Sequence, residues 1–345
     1  MLALLQHCCV ARRLACALAV GLGLLVAGAP VEAKRFGRDY FPNVPGQNQH
    51  GETLNFYDDL IKGRMVVISF IYTTCRDICP LITARLAQVQ ERLADVVGRD
   101  IHFISVSIDP ENDTVAKLRE HAEAFRAGPG WQFITGKREH IDMIRYKLGE
   151  RSRALGEHQA DIVLGNDIVG DWSRDSAFSD LNVLAMTIRN LDPKLRAAAA
   201  VTPKPVPAAI AETAILPGEA LFARACAACH TVGKGRRVGP DLVGITERRE
   251  RAWLLKYIAS PRDMRAKKDP IALELHKTYK GVMMPSLGLS ETDAADALGY
   301  IEFLTYRHKT PEDPAHAAMH AAHGSHAGQG AHSLPKGKSA KPHVH

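Results

Sequence analysis

The sequence predicts an α/β domain followed by a mostly helical one, on three observations. Strand-like and helix-like segments alternate as far as residue 164, an Ala- and Pro-rich stretch interrupts them, and only helical patterning follows. Val66-Val67-Ile68-Ser69-Phe70-Ile71-Tyr72 is a continuous β-rich run, as expected of a strand covered on both faces. From Pro80 to Val97 the pattern is amphipathic, with Leu81, Leu86, Val89 and Leu93 at helical spacing. Ile101 to Ile108 alternates like a strand. Thr114 to Ala127 reads as a helix that Thr114 can cap, with Lys117 rather than Glu at the box position. A helix near His140 to Leu148 and a strand over Ala160 to Leu164 complete the alternation, which favours a partly parallel sheet.

At the N-terminus, Arg12 and Arg13 precede an apolar run from Leu14 to Ala29, and Val31-Glu32-Ala33 resembles a small-residue cleavage site. That is the pattern of a secretory signal peptide over 1–33. The run is a little shorter than the roughly 20 residues a spanning helix needs, which leaves an uncleaved membrane anchor as the alternative. Arg13 stands where a lipoprotein signal wants an aliphatic residue, so Cys16 is not read as a lipidation site. Either way the body of the protein is expected outside the cytoplasm, in a periplasm-like compartment.

Residues 34–191 form the predicted α/β domain. A linker follows at 192–213, where four alanines lead into Thr202-Pro203-Lys204-Pro205-Val206-Pro207, semi-extended where proline dominates. The helical domain is placed at 214–308. The tail, 309–345, holds His316, His320, His323, His326, His332, His343 and His345 with almost no large apolar residue, and is expected to be disordered. It reads as a solvated segment or a loose metal collector. Hydrophobic content of 46%, charged content of 24% and a net charge of +6 describe soluble globular material. No basic stripe with interleaved aromatics marks a nucleic-acid surface.

Of the seven cysteines, Cys8, Cys9 and Cys16 fall in the signal, leaving two pairs, Cys75/Cys79 and Cys226/Cys229. No thiol is left for a structural disulfide, so each pair is assigned its own chemistry. Cys226-Ala227-Ala228-Cys229-His230 is C-x-x-C-H, the attachment signature of c-type haem. Two thiols at that spacing can each form a thioether to one porphyrin vinyl, and the adjacent His230 is then directed at the iron. A redox disulfide or a zinc half-site would share the bare motif. The context is Gly239-Pro240-Asp241-Leu242, then Met283-Met284-Pro285, then a terminal amphipathic helix.

With that context, 214–308 resembles a class I cytochrome c. The resemblance implies one covalently attached haem, held through Cys226 and Cys229, with His230 as proximal ligand beside Pro240. It implies Met284 as distal ligand, Met283 being the alternative. It also implies that Gly218 and Phe222 pack the first helix on the last, against Tyr300. Met/His ligation raises the haem potential, which suits electron transfer. A methionine is more commonly core packing, and Leu298, Ile301 and Leu304 are read as plain helix packing.

Cys75-Arg76-Asp77-Ile78-Cys79-Pro80 is C-x-x-x-C-P where the buried strand gives way to a helix. Four-residue spacing places both sulfurs on one helix face. A helix N-terminus lowers thiol pKa values, and soft thiolates select Cu(I) or zinc. A simple disulfide or an exchange pair without metal fits the motif equally. Several separated segments occur in order with it: Tyr40-Phe41-Pro42-Asn43, Ser69 to Cys75, Ser107 to Thr114, Gly130-Trp131 and Thr135-Gly136.

Together these resemble the Sco (SenC) family of copper chaperones over about 38–190. The resemblance implies a thioredoxin-like fold, copper held by Cys75, Cys79 and the distant His158, and Asp109 and Asp113 as turn and cap residues. It further implies delivery of copper to the binuclear centre of cytochrome c oxidase subunit II, or reduction of that subunit's cysteines. Asp161 departs from the family, which more often has a small or apolar residue there. A tethered haem favours a one-electron exchange with copper and other redox proteins as partners. The competing expectation is a thiol–disulfide oxidoreductase acting through Cys75 and Cys79. A peroxidase would need an open iron position, which Met284 fills.

Overall fold

The computed structural model describes residues 36–201, 216–279 and 282–310. The expected signal segment, the proline-rich part of the linker and the histidine-rich tail lie outside them. Strands β1 (Pro45–Asn48), β2 (Thr53–Asn55), β3 (Met65–Ile71), β4 (Ile101–Ser107), β5 (Trp131–Thr135), β6 (Asp161–Asn166) and β7 (Asp171–Ser176) form one seven-stranded sheet. Its order is β2-β1-β5-β4-β3-β6-β7. Strands β3, β4 and β5 are parallel, and the pairings of β1 with β2 and β5, and of β6 with β3 and β7, are antiparallel.

Every residue of β3 is buried. Its side chains alternate between two cores: Met65, Val67 and Ile71 point to one, Val66, Ile68 and Phe70 to the other. Strand β4, expected to be half exposed, is almost wholly buried as well, because its parallel neighbours leave both faces covered. The first core receives helix α1 (Cys79–Arg92), helix α2 (Val115–Ala124) and, later, helix α4 (Leu181–Arg189). The second receives a π-helical turn (Phe56–Ile61) and helix α3 (Arg138–Lys147). Thr114 caps α2 as expected, its hydroxyl accepting from Lys117 N–H at 3.3 Å. Pro193–Val201, the alanine-rich start of the expected linker, forms a helix, α5.

The second domain is helical throughout. Helix α6 (Glu219–Leu221) runs into a π-helical turn (Phe222–Cys226), and α7 (Ile245–Arg248), α8 (Arg251–Ala259), α9 (Pro261–Ala266), α10 (Pro270–Thr278) and α11 (Glu291–Lys309) follow. Ser290 and Asp293 close a capping box at the start of α11. The first helix packs on the last through Phe222 and Tyr300, whose ring centroids lie 5.6 Å apart. Gly218 makes that approach possible. Its φ is +80°, and a Cβ there would meet Asp296 O at 2.1 Å.

Gly218→Ala should therefore cost this domain roughly 2 kcal/mol or more, from left-handed strain plus the clash. A melt followed at the haem bands is expected to shift down while far-UV signal from the sheet domain melts as before. An unchanged haem-domain melt would contradict the packing.

Candidate functional site

Pro80 decides where α1 begins. Its ring tolerates only the first turn of a helix, so the helix starts at Cys79 with Pro80 at its second position. Cys75 consequently stays in the preceding loop, and the expectation that both sulfurs share a helix face does not hold. The sulfurs meet differently: Cys79 N–H donates to Cys75 Sγ at 3.4 Å, so the thiol acts as acceptor at the helix N-terminus. Both thiols are free and buried.

The loop is held from beneath by Asp113. Its buried carboxylate accepts from Thr73 N–H at 3.1 Å, Thr73 Oγ1 at 2.5 Å and Ser107 Oγ at 2.6 Å. Asp109 accepts from Asn112 in the adjoining turn. Hydrogen bonding by the Cys79 thiol, with help from backbone N–H groups and the Tyr72 hydroxyl, outweighs burial and brings the Cys75 thiol down to about 6. Burial pushes Cys79 the other way, and the adjacent Cys75 adds to that. One thiolate and one thiol, sharing a proton bond, is the resulting pair.

His158 follows a short 3-10 turn (Leu155–Glu157) just before β6. Because β6 runs antiparallel to β3, with Ser69 against Ile162, the chain just before β6 lies at the sheet end toward which β3 runs on to the Cys75 loop. The side chain is 2% exposed. Nδ1–H donates to Glu150 Oε2 at 2.9 Å, and Nε2 is buried with no partner among the described residues. Burial works against a charged Glu150, but hydrogen bonds from His158 and Ser152 prevail and hold its carboxyl down at about 2. A fixed carboxylate therefore sets the tautomer that leaves the Nε2 lone pair free, the usual support of a metal-binding imidazole. Among the described residues no three His, Cys, Asp or Glu side chains stand close enough to hold a metal ion, so His158 and the two cysteines do not converge in this structure. As a donor set, two sulfurs and an unsatisfied imidazole nitrogen suit copper. Asp161, the departure from the family pattern, is exposed and lies 3.8 Å from Arg174.

In the second domain a cleft with a cavity volume of about 110 Å³ is lined by Cys226, Cys229, His230, Met283, Met284 and Arg265 among mainly apolar neighbours. His230 Nδ1–H donates to Pro240 O at 2.9 Å, leaving Nε2 for the iron. Gly239 has to be glycine for this ring to fit, since a Cβ would meet His230 Cε1 at 2.5 Å. Burial raises Cys226 to about 11 and Cys229 to about 12, so both are neutral thiols at neutral pH. Arg265 Nη1 holds Met284 O at 3.3 Å, and Nη2 is buried with no partner. The donor set suits a haem: two thiols, an oriented imidazole, methionine sulfurs and a cation of the kind that pairs with a propionate. Glu150 and Arg265 escaped the sequence reading and carried no local signal; Gly239 entered it only as the neighbour of Pro240, not for its closeness to His230.

The two domains touch along the outer face of α1. Leu81, Ala84 and Phe125 form one apolar cluster with Ala228 and Val238. Arg85 Nη1 donates to Arg224 O at 2.7 Å, Gln88 Nε2 to Ala227 O at 3.0 Å, and Arg237 pairs with Glu91 at 2.6 Å. Leu81, two residues after Cys79, also lines the cleft beside Cys226 and His230.

Residues 45–159 match the SCO1/SenC family model and residues 215–305 the cytochrome c family model. A SCO1 protein homolog of Bacillus subtilis is 35% identical over 91 residues, 26% of this chain and 46% of that protein. The mitochondrial SCO2 homolog of Bos taurus is 28% identical over 138 residues, 39% of this chain and 51% of that protein. The chain thus spans about half the length of these curated relatives. Among solved structures, a SCO1/SenC family lipoprotein of Bacillus anthracis aligns at 22% identity and a TM-score of 0.39, covering 47% of this chain and 99% of that one. Arabidopsis thaliana ScoI with copper bound aligns at 19% identity and a TM-score of 0.38, covering 45% and 99%. The expected thioredoxin-like domain and the cytochrome c domain are both present, in the expected order.

The thiol pair makes a pH prediction. A free thiol ionises near 8.5; Cys75 is held lower, so the ultraviolet thiolate band of the reduced protein should grow as pH rises through about 6. Cys75→Ala should abolish that step, and Cys79→Ala should move it up in pH by removing the donor. A single step near the ordinary thiol value in the wild type would contradict the geometry.

Proposed function

We propose, for a chain that joins a SCO1/SenC domain to a cytochrome c domain, that it is a periplasmic copper-binding redox protein serving assembly of the binuclear copper centre of cytochrome c oxidase. Copper is held by Cys75, Cys79 and His158. One haem is attached through Cys226 and Cys229 and ligated by His230 and Met284. The receiving partner is oxidase subunit II or a protein of the same chemistry, and the N-terminal apolar run exports the chain or anchors it.

The observation that carries this reading is the buried, unpartnered Nε2 of His158, oriented by Glu150 at the same sheet end as the thiol pair. A buried ring nitrogen without a partner costs free energy unless something completes it, and copper is the completion that two adjacent sulfurs favour. The haem, when bound, supplies a one-electron couple that matches the change between Cu(II) and Cu(I). The chain's own residues do the rest. Glu150 fixes the imidazole tautomer, Cys79 and Tyr72 stabilise the Cys75 thiolate, and Asp113 anchors the loop that presents it. Pro240 O sets the ring of His230 at a mainly apolar cleft.

A second reading, thiol–disulfide exchange, is favoured by the lowered Cys75 thiol. Copper stoichiometry on haem-loaded protein ending at Thr310 separates the two, because it removes the tail histidines. Copper chaperoning predicts one copper per chain and a thiolate-to-Cu(II) charge-transfer band, both lost in Cys75→Ala/Cys79→Ala. It also predicts that His158→Ala weakens copper binding and that Glu150→Gln does so by roughly 10- to 100-fold. No tight copper, with exchange activity intact in His158→Ala, would make the protein an oxidoreductase.

A further inference from the structure

The outer face of α1 is not built for solvent. Every residue from Cys79 to Gln90 is buried, although an α-helix on a sheet normally leaves one side wet. Arg85 is the extreme case, at 1% exposure. None of its recorded partners is a carboxylate. Nε donates to Ala177 O at 2.6 Å and Nη2 to Ser179 O at 2.5 Å, both in its own domain, and Nη1 to Arg224 O across the boundary. Arg224 O and Ala227 O lie at the end of the helical turn that carries Cys226, where carbonyls have no helical partner of their own. Arg85 and Gln88 supply those partners, and the guanidinium charge suits the negative end of a helix. The donors come from the helix that begins with Cys79. The acceptors flank Cys226.

We infer that Arg85, with Gln88, is a positioning clamp that seats the C-x-x-C-H segment on the cysteine helix, so that Leu81 walls the haem cavity and electron exchange runs within one docked molecule. The inference rests on the proposed copper and haem sites but adds to them a fixed interface and the residues that fix it. Were copper held by the thiol pair and haem by the C-x-x-C-H segment, this seating would let one electron pass from Cu(I) to ferric haem, giving Cu(II) and ferrous haem with no bond or proton changing hands.

The test uses the full chain loaded with haem and copper, comparing wild type, Arg85→Met and Glu91→Arg with and without Arg237→Glu. Hydrogen–deuterium exchange of 222–230 reads the docking, and the haem bands read the exchange rate after Cu(I) is supplied. Arg85→Met should leave the spectra of both centres unchanged, expose 222–230 and slow exchange by about tenfold or more, as the docked fraction falls. Glu91→Arg should slow it roughly two- to threefold, and Arg237→Glu should restore it by reversing the pair. The charge-swap arm keeps the test valid if Arg85→Met fails to fold. Unchanged protection in Arg85→Met, or no rescue by the swap, would overturn the clamp. Lost protection with an unchanged rate would overturn its role in electron exchange. If wild type shows protection but never exchanges an electron, the clamp stands as a docking device and the copper–haem reading fails.

Discussion

Helix α1 has two faces and both are occupied. The inner face packs on the sheet through Ile82, Leu86 and Val89, and the outer face takes the haem-bearing segment through Leu81, Ala84, Arg85 and Gln88. Its first residue is a member of the thiol pair. The position of each centre relative to the other is therefore set by one rigid element, and a shift of α1 would be felt at both. The energetics of that outer face hinge on a buried guanidinium. Removing a group that satisfies three carbonyls leaves them unmade in a dry interface, which costs far more than losing a surface ion pair.

The two candidate centres share a way of preparing their donors. In each, one nitrogen of a histidine is tied to a fixed acceptor, Glu150 Oε2 for His158 and Pro240 O for His230, so the other nitrogen is the one available to a metal. The sulfurs are treated oppositely. Cys75 is drawn toward thiolate, whereas burial keeps Cys226 and Cys229 neutral. A thiolate suits metal capture and a neutral thiol suits addition to a vinyl group, so identical residue types are sorted to different chemistry by their surroundings alone.

The central elements were legible because their burial leaves a periodic trace. β3, α1, β4, α2, α3 and β6 all form close to where hydrophobic pattern places them. β1, β2 and β7 were not, since Pro45-Gly46-Gln47-Asn48 and Asp171 to Ser176 lie toward the sheet edges, where pairing needs little hydrophobic support. The cysteine motifs could be read directly. His158 could be read only through resemblance, because a loop histidine carries no local pattern, and the loop position of Cys75 depended on the steric rule at Pro80. Leu81 is the instructive case. It continues the spacing of Leu86, Val89 and Leu93, yet it leaves their core and faces the second domain. Arg85 is invisible to any local reading, because its partner Arg224 O lies 139 residues away and charged side chains are ordinarily solvated.

The claim on which the account turns is that copper and haem exchange electrons within a single molecule. Rapid mixing of the ferric, metal-free protein with one equivalent of Cu(I), repeated over a range of protein concentrations, addresses it most directly. The account predicts that ferrous haem appears with a rate constant independent of protein concentration once copper is bound, and that Cys75→Ala/Cys79→Ala stays ferric. A haem spectrum that does not change, or a rate that rises in proportion to protein concentration, would contradict it.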